Sequence, residues 1–65
     1  MTIDPATIPL DDQIAEVQRE LRVRGTVYAR WIADKKMKPD VAERQITRMQ
    51  AALHTLMSLR PKPLL

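Results

Sequence analysis

Apolar residues at Leu10, Ile14, Val17, Leu21, Tyr28 and Trp31 advance along the chain in steps of four and three, with Arg24 interrupting the series once. That spacing draws a stripe along one face of an α-helix, not the alternation of a half-buried strand. A second series, Ala42, Ile46, Met49, Leu53 and Leu56, repeats the steps without a break. Prolines stand at positions 5, 9, 39, 61 and 63, leaving Leu10 to Lys38 and Asp40 to Arg60 free of them. Proline is tolerated at a helix start and disrupts a helix interior, so Pro9 and Pro39 read as starts and Pro61 as a stop. The pattern predicts a first helix over about 10–33, a turn over 34–38 and a second helix over about 39–59. Asp40 with Glu43 offers an alternative start for the second helix, a capping box one residue later. Residues 1–8 are expected to form a flexible N-terminal segment and residues 60–65 an extended tail, polyproline-like through Arg60-Pro61-Lys62-Pro63.

Charge order supports both helices. Asp11, Asp12 and Glu16 lie early in the first and Arg22, Arg24 and Arg30 late, which complements the helix dipole. Glu20 with Arg24 and Asp40 with Arg44 are spaced i,i+4 in the favourable orientation.

Asp34-Lys35-Lys36-Met37-Lys38 is a short polar connection, and short connections make antiparallel neighbours. Folding the chain at Lys36 and Met37 sets Trp31 opposite Ala42, Tyr28 opposite Ile46, Leu21 opposite Leu53 and Val17 opposite Leu56. Arg24 and Gly25 then fall opposite Met49. A glycine inside a helix costs about 1 kcal/mol relative to alanine. A close helix approach at Gly25 would account for it; a glycine without a role is the equal alternative. Val23 and Val27 form a second apolar strip beside the first, and Ala52 and Leu59 widen the face of the second helix. Two helices cannot cover both strips, whereas two hairpins packed as a four-helix bundle would. The expected architecture is therefore all-α: an antiparallel two-helix hairpin dimerising into a four-helix bundle. Its core and oligomer contacts are Ile14, Val17, Leu21, Val23, Val27, Ile46, Met49, Leu53 and Leu56.

Length sharpens the case for association. At 65 residues the chain is one domain at most, and below about 70–80 residues a lone core seldom supplies more than ~3–5 kcal/mol without a staple. With no cysteine there is neither disulfide nor thiolate metal site, and His54 is the only imidazole. No cofactor or metal is expected. The absence of cysteine fits a reducing compartment, the N-terminus lacks the marks of a secretory signal, and no apolar run approaches the ~20 residues of a membrane span. A cytoplasmic protein without membrane contact is expected. The net charge of +3 makes the chain mildly basic, which raises the weight of an anionic partner, yet the charges are mixed as on an ordinary solvated helix surface.

Candidate chemistry is thin. His54 shares its helix with Thr55 and Ser58 but has no nearby carboxylate to orient it, so no nucleophile and base can be paired and the chain does not read as an enzyme. Glu16 and Glu20 lack the matching Glu-x-x-His of a bundle metal site. A single glycine leaves no phosphate loop. Most distinctive is Val27-Tyr28-Ala29-Arg30-Trp31-Ile32, which gathers both aromatic side chains beside a cation. In one reading Tyr28 and Trp31 close the core at the turn end. In the other they join Arg24, Arg30 and Lys35 as a partner-binding anchor, since Trp, Tyr and Arg dominate binding hot spots. The same set would stack on a base and grip a phosphate.

The runs Ile8-Pro-Leu-Asp-Asp-Gln-Ile-Ala-Glu-Val-Gln-Arg-Glu-Leu, Val27-Tyr-Ala-Arg-Trp-Ile, Ala42-Glu-Arg-Gln-Ile and Met49-Gln-Ala-Ala-Leu resemble short phage- and prophage-encoded helical proteins. In size and hairpin shape the chain is similar to the quorum-sensing anti-activator type of phage protein. The resemblance implies an accessory protein that binds and modulates or inhibits a host protein, in the host cell cytoplasm. An anion-binding helical oligomer, holding nucleic acid or a nucleotide signal through Arg22, Arg24, Arg30, Lys35, Lys36, Arg44 and Arg48, is the alternative class. A small structural subunit of a larger assembly is a third.

Overall fold

The structure, a computed structural model, describes residues 2–62. It holds a short 3-10 turn at Pro5–Thr7 and two α-helices, α1 at Leu10–Ala33 and α2 at Pro39–Ser58. The helices pack against each other as a hairpin, and no strand is present among the described residues. Pro39 occupies the first position of α2 behind Lys38, with no side-chain cap, so the proline and not an Asp40 capping box sets the start. The segment expected to be flexible at the N-terminus contains local order. Asp4 Oδ1 accepts from the Ala6 N–H at 2.9 Å and the Thr7 hydroxyl donates to the Asp4 carbonyl at 2.7 Å.

α1 ends by a defined device. The Lys36 N–H donates to the Trp31 carbonyl at 2.8 Å and the Lys35 N–H to the Ile32 carbonyl at 3.0 Å, with Lys35 in the left-handed region at φ 60°. This is the crossed pair of bonds of a Schellman stop, which usually takes glycine at the left-handed position. The chain reverses there and delivers Pro39 to start α2.

Two contacts fix the register. The Tyr28 hydroxyl donates to Gln45 Oε1 at 2.9 Å, and Arg60 Nε donates to Asp11 Oδ1 at 3.1 Å. Between them Ile14, Tyr28 and Ala42 are buried, the first with 1% of its surface exposed. Val17, Leu21, Val27, Ile46, Met49, Leu53 and Leu56 are half-buried, and Val23 is exposed at 43%. Gly25 lies in the open: a Cβ built there meets nothing within 4 Å. A close approach of α2 to α1 therefore does not explain this glycine.

One layer of two helices cannot enclose a core. The radius of gyration is 15.3 Å, against about 11 Å for a compact domain of this length.

Candidate functional site

The residues drawn together by the sequence reading separate in space. Tyr28 is an interior residue, 9% exposed, hydrogen-bonded to Gln45 and stacked on Trp31 with ring centroids 5.8 Å apart. It is thus part of the core of the turn end and not a surface anchor. Trp31 is its outer neighbour, 42% exposed. Arg24 is half-buried and paired with Glu20 at 2.9 Å, a hydrogen bond that pushes the guanidinium above its ordinary pKa. Its charge is answered within α1. Arg30 and Lys35 are exposed and enter no ion pair among the described residues. Lys35 has a second, backbone role as the left-handed residue of the helix stop.

Two surfaces emerge. The first is a flank of α1. Glu20, Val23, Arg24, Val27 and Trp31 are spaced three and four apart, so they share one side of the helix. Arg24 lines a shallow groove of about 220 Å³ with Gln45, Arg48, Met49 and Ala52 of α2. The Val23, Val27 and Trp31 ridge and that seam therefore open on the same face of the hairpin. Val23, Val27 and Trp31 make it apolar along α1, while the Glu20–Arg24 pair stands at its open-end side and Gln45 and Arg48 border it on α2.

The second surface is a hollow of about 430 Å³ at the turn end, lined by Ile32, Met37 and Pro39 and rimmed by Lys35, Lys36 and Lys38. From the sequence, Met37 and Lys38 read as connection, Pro39 as the helix start and Lys36 as one of the cations of an anion binder, and Gln45 carried no assigned role. A methionine set among three lysines was the available signal.

Charge is unevenly divided between the ends. The register sets Arg22 roughly level with Ala51; from Arg22 to Ala51 there are eight Lys or Arg against three Asp or Glu, net +5. The rest of the chain holds three against five, net −2. At the open end Glu16 is hydrogen-bonded by Arg19, which lowers its pKa below the ordinary carboxylate value.

His54 is exposed on α2. No cluster of metal-ligating side chains occurs among the described residues, and none of their helices is long and apolar enough to cross a membrane. The chain matches no protein-family model, no curated protein and no solved structure.

Proposed function

We propose that this chain is a binding protein that works as a homodimer, two hairpins packing their Val23, Val27 and Trp31 faces into a four-helix bundle, and that the bundle engages a host protein as a phage-type accessory factor. The observation that carries the reading is the surface. The chain exposes 5669 Å², whereas a compact monomer of its mass exposes about 4200 Å². The excess, ~1400 Å² per chain, is shared between the exposed terminal segments, residues 2–9 and 57–62, and the open side of the hairpin; a standard interface takes ~800 Å² from each partner. An apolar face is available on that side to contribute it. The phage class rests on the resemblance of the segments quoted above. Binding, as opposed to catalysis, follows from an isolated His54 and from aromatic and cationic groups gathered at one end.

Light scattering across a dilution series tests the dimer, which is expected to lose helicity as it dissociates, because assembly contributes stability by mass action. A monomeric mass with full helicity removes the bundle. For the host protein, capture from a bacterial lysate is expected to recover one specific protein and to be weakened by Arg30→Ala without loss of helicity.

The second reading, an anion binder, is favoured by the +5 half of the hairpin, where Arg22, Arg30, Lys35, Lys36, Lys38 and Arg48 enter no ion pair among the described residues. Salt separates the two: phosphate neutralisation makes affinity fall steeply with ionic strength, while an apolar interface changes little.

A further inference from the structure

We infer that the lysine-rimmed hollow at the turn end docks an acidic peptide segment of a partner protein, an apolar side chain entering the hollow and flanking carboxylates meeting its lysines. The inference rests on the reading of the chain as a binder of another protein, and it names the chemistry of the segment taken. It needs no particular arrangement of the dimer, because the hollow shares no residue with the Val23, Val27 and Trp31 face.

Floor and rim ask for different things of a ligand. Ile32 of α1, Met37 of the connection and Pro39 of α2 surround about 430 Å³ of open space, within the ~300–1,000 Å³ usual for ligand sites. Met37 is half-buried there, and the unbranched, polarisable methionine side chain adapts to partners of differing shape. Around this floor Lys35, Lys36 and Lys38 are exposed and enter no ion pair among the described residues. The acids nearest in the chain do not answer them: Asp34 and Asp40 lie outside the lining, and Asp40 is 3.8 Å from Arg44. From Arg30 to Asp40 four Lys or Arg stand against two Asp, so the field at this end favours an anionic segment.

The backbone beneath both walls is already ordered. The Lys36 N–H donates to the Trp31 carbonyl, Lys35 closes α1 in the left-handed region, and the Ala42 N–H donates to the Lys38 carbonyl at 3.1 Å as α2 begins on Pro39. Docking there orders lysine side chains but little main chain, which lowers the entropic cost of binding. The same lining decides between peptide and nucleic acid. Sites for single-stranded nucleic acid stack bases on aromatic rings, with arginine adding to the grip, and the hollow is lined by neither. Trp31, beside it in the chain, stacks on Tyr28 instead. Aliphatic walls set among lysine point charges suit a leucine- or isoleucine-bearing segment rich in Asp and Glu.

Fluorescence anisotropy on the full chain tests this with a dye-labelled Glu-Asp-Leu-Asp-Glu peptide, the same peptide with Ser in place of Leu, and a single-stranded oligonucleotide of equal net charge. The Leu peptide is expected to bind tightest, the Ser peptide severalfold more weakly, and both to weaken as salt rises. Lys36→Glu combined with Lys38→Glu is expected to weaken the Leu peptide by about tenfold, with helicity and mass unchanged. Met37→Ala, which keeps every charge, is expected to narrow the gap between Leu and Ser peptides. That gap is read first on the native chain, so it decides the matter even if a variant loses helicity. Equal affinity for the two peptides, or no binding of either, overturns the docking site. An oligonucleotide held more tightly than the Leu peptide and released by the double Glu variant replaces the peptide with nucleic acid. Lysate capture separates the hollow from the broader reading: a host protein still captured by the double Glu variant overturns the hollow and leaves host binding standing. Binding of the Leu peptide as expected, with no host protein captured, supports the hollow and removes the host-protein reading alone.

Discussion

At the turn end, Tyr28 is buried, stacks on Trp31 and reaches across to Gln45, and the Lys35–Lys36 stop fixes where α1 gives way to α2. At the open end, α2 returns to α1 through Arg60 on Asp11, side chains 45% and 78% exposed, with Ile14 buried one turn further along α1. The turn end closes a short loop, so little chain entropy opposes it, and a part-buried hydrogen bond spans it. The open end joins residues 49 positions apart by a surface ion pair of a kind worth about 0–1 kcal/mol. The buried Ile14, with Leu10, Val17, Leu53 and Leu56 half-buried around it, carries the rest. The half with the weaker closure is also the acidic half with the exposed arm.

The severest way to break this comparison is at Ile14. Ile14→Ala removes the least exposed large side chain among the described residues, and buried Ile→Ala changes cost about 2–5 kcal/mol. That is comparable to the whole stability of a chain this small. Circular dichroism is expected to show loss of cooperative melting at micromolar concentration. Leu21→Asp, which places an unpaired charge in the central layer, should do the same. Native helicity and melting in both variants would show that the open half is held by something other than this stripe.

Tyr28→Phe probes the turn half more gently. It keeps the ring stacked on Trp31 and deletes one hydroxyl, leaving Gln45, an exposed residue, free to turn to water. The expected loss is about 1 kcal/mol, seen as a lowered urea midpoint with an unchanged slope. A change in slope would mean that the Gln45 contact holds the turn end shut and is more than a local bond.

These two positions also mark what sequence can and cannot convey. Ile14 was legible because it falls on an i,i+3/i+4 stripe that begins just after a proline signal and runs without a break to Leu21, and periodicity of that kind reports which face of a helix is buried. The helices themselves follow from the same pattern. Tyr28 and Trp31 were not separable, since both continue the stripe; which of them lies inside depends on the rotation of α1 against α2, which turns Tyr28 inward toward Gln45 and leaves Trp31 at the edge. Gln45 reads as a surface amide until its partner is known. Arg24 registers in the sequence as a gap, while in space it bends to Glu20 along the edge of the apolar face. Lys35 conveyed only a charge, because its left-handed backbone is a property of the helix stop and not of lysine. The hollow draws on both sides of the turn, a juxtaposition that no linear pattern contains.

Gly25→Ala should shift the balance the other way. An added methyl meets open space, and alanine restricts the unfolded chain while favouring helix, so the variant is expected to be more stable by about 0.5–1 kcal/mol. Gly25 does not belong to the Glu20, Val23, Val27 and Trp31 ridge, and the dimer is expected to form unchanged. A thermal melt with a parallel mass measurement checks both. Destabilisation with loss of the dimer would place Gly25 in the interface and move the contact face around α1.

The smallest effects belong to the surface pairs of the open end. Arg60→Ala deletes the Asp11 contact and should cost only a few tenths of a kcal/mol, a difference expected to vanish in high salt as exposed charges are screened. Glu16 with Arg19 gives the matching acid test. Because the folded carboxyl titrates below its ordinary value, the pair's contribution is present above that value and is lost as pH falls through the lowered folded pKa. Both side chains are largely exposed, at 65% and 56%, so Glu16→Gln should barely alter the melting temperature at neutral pH and should remove part of its acid dependence. Amide exchange across α1 reads both variants residue by residue. If Arg60→Ala speeds exchange throughout the first turns of α1 while the Tyr28 region is unmoved, the surface pair is the latch of the open end; if exchange is unmoved everywhere, the apolar stripe around Ile14 holds it.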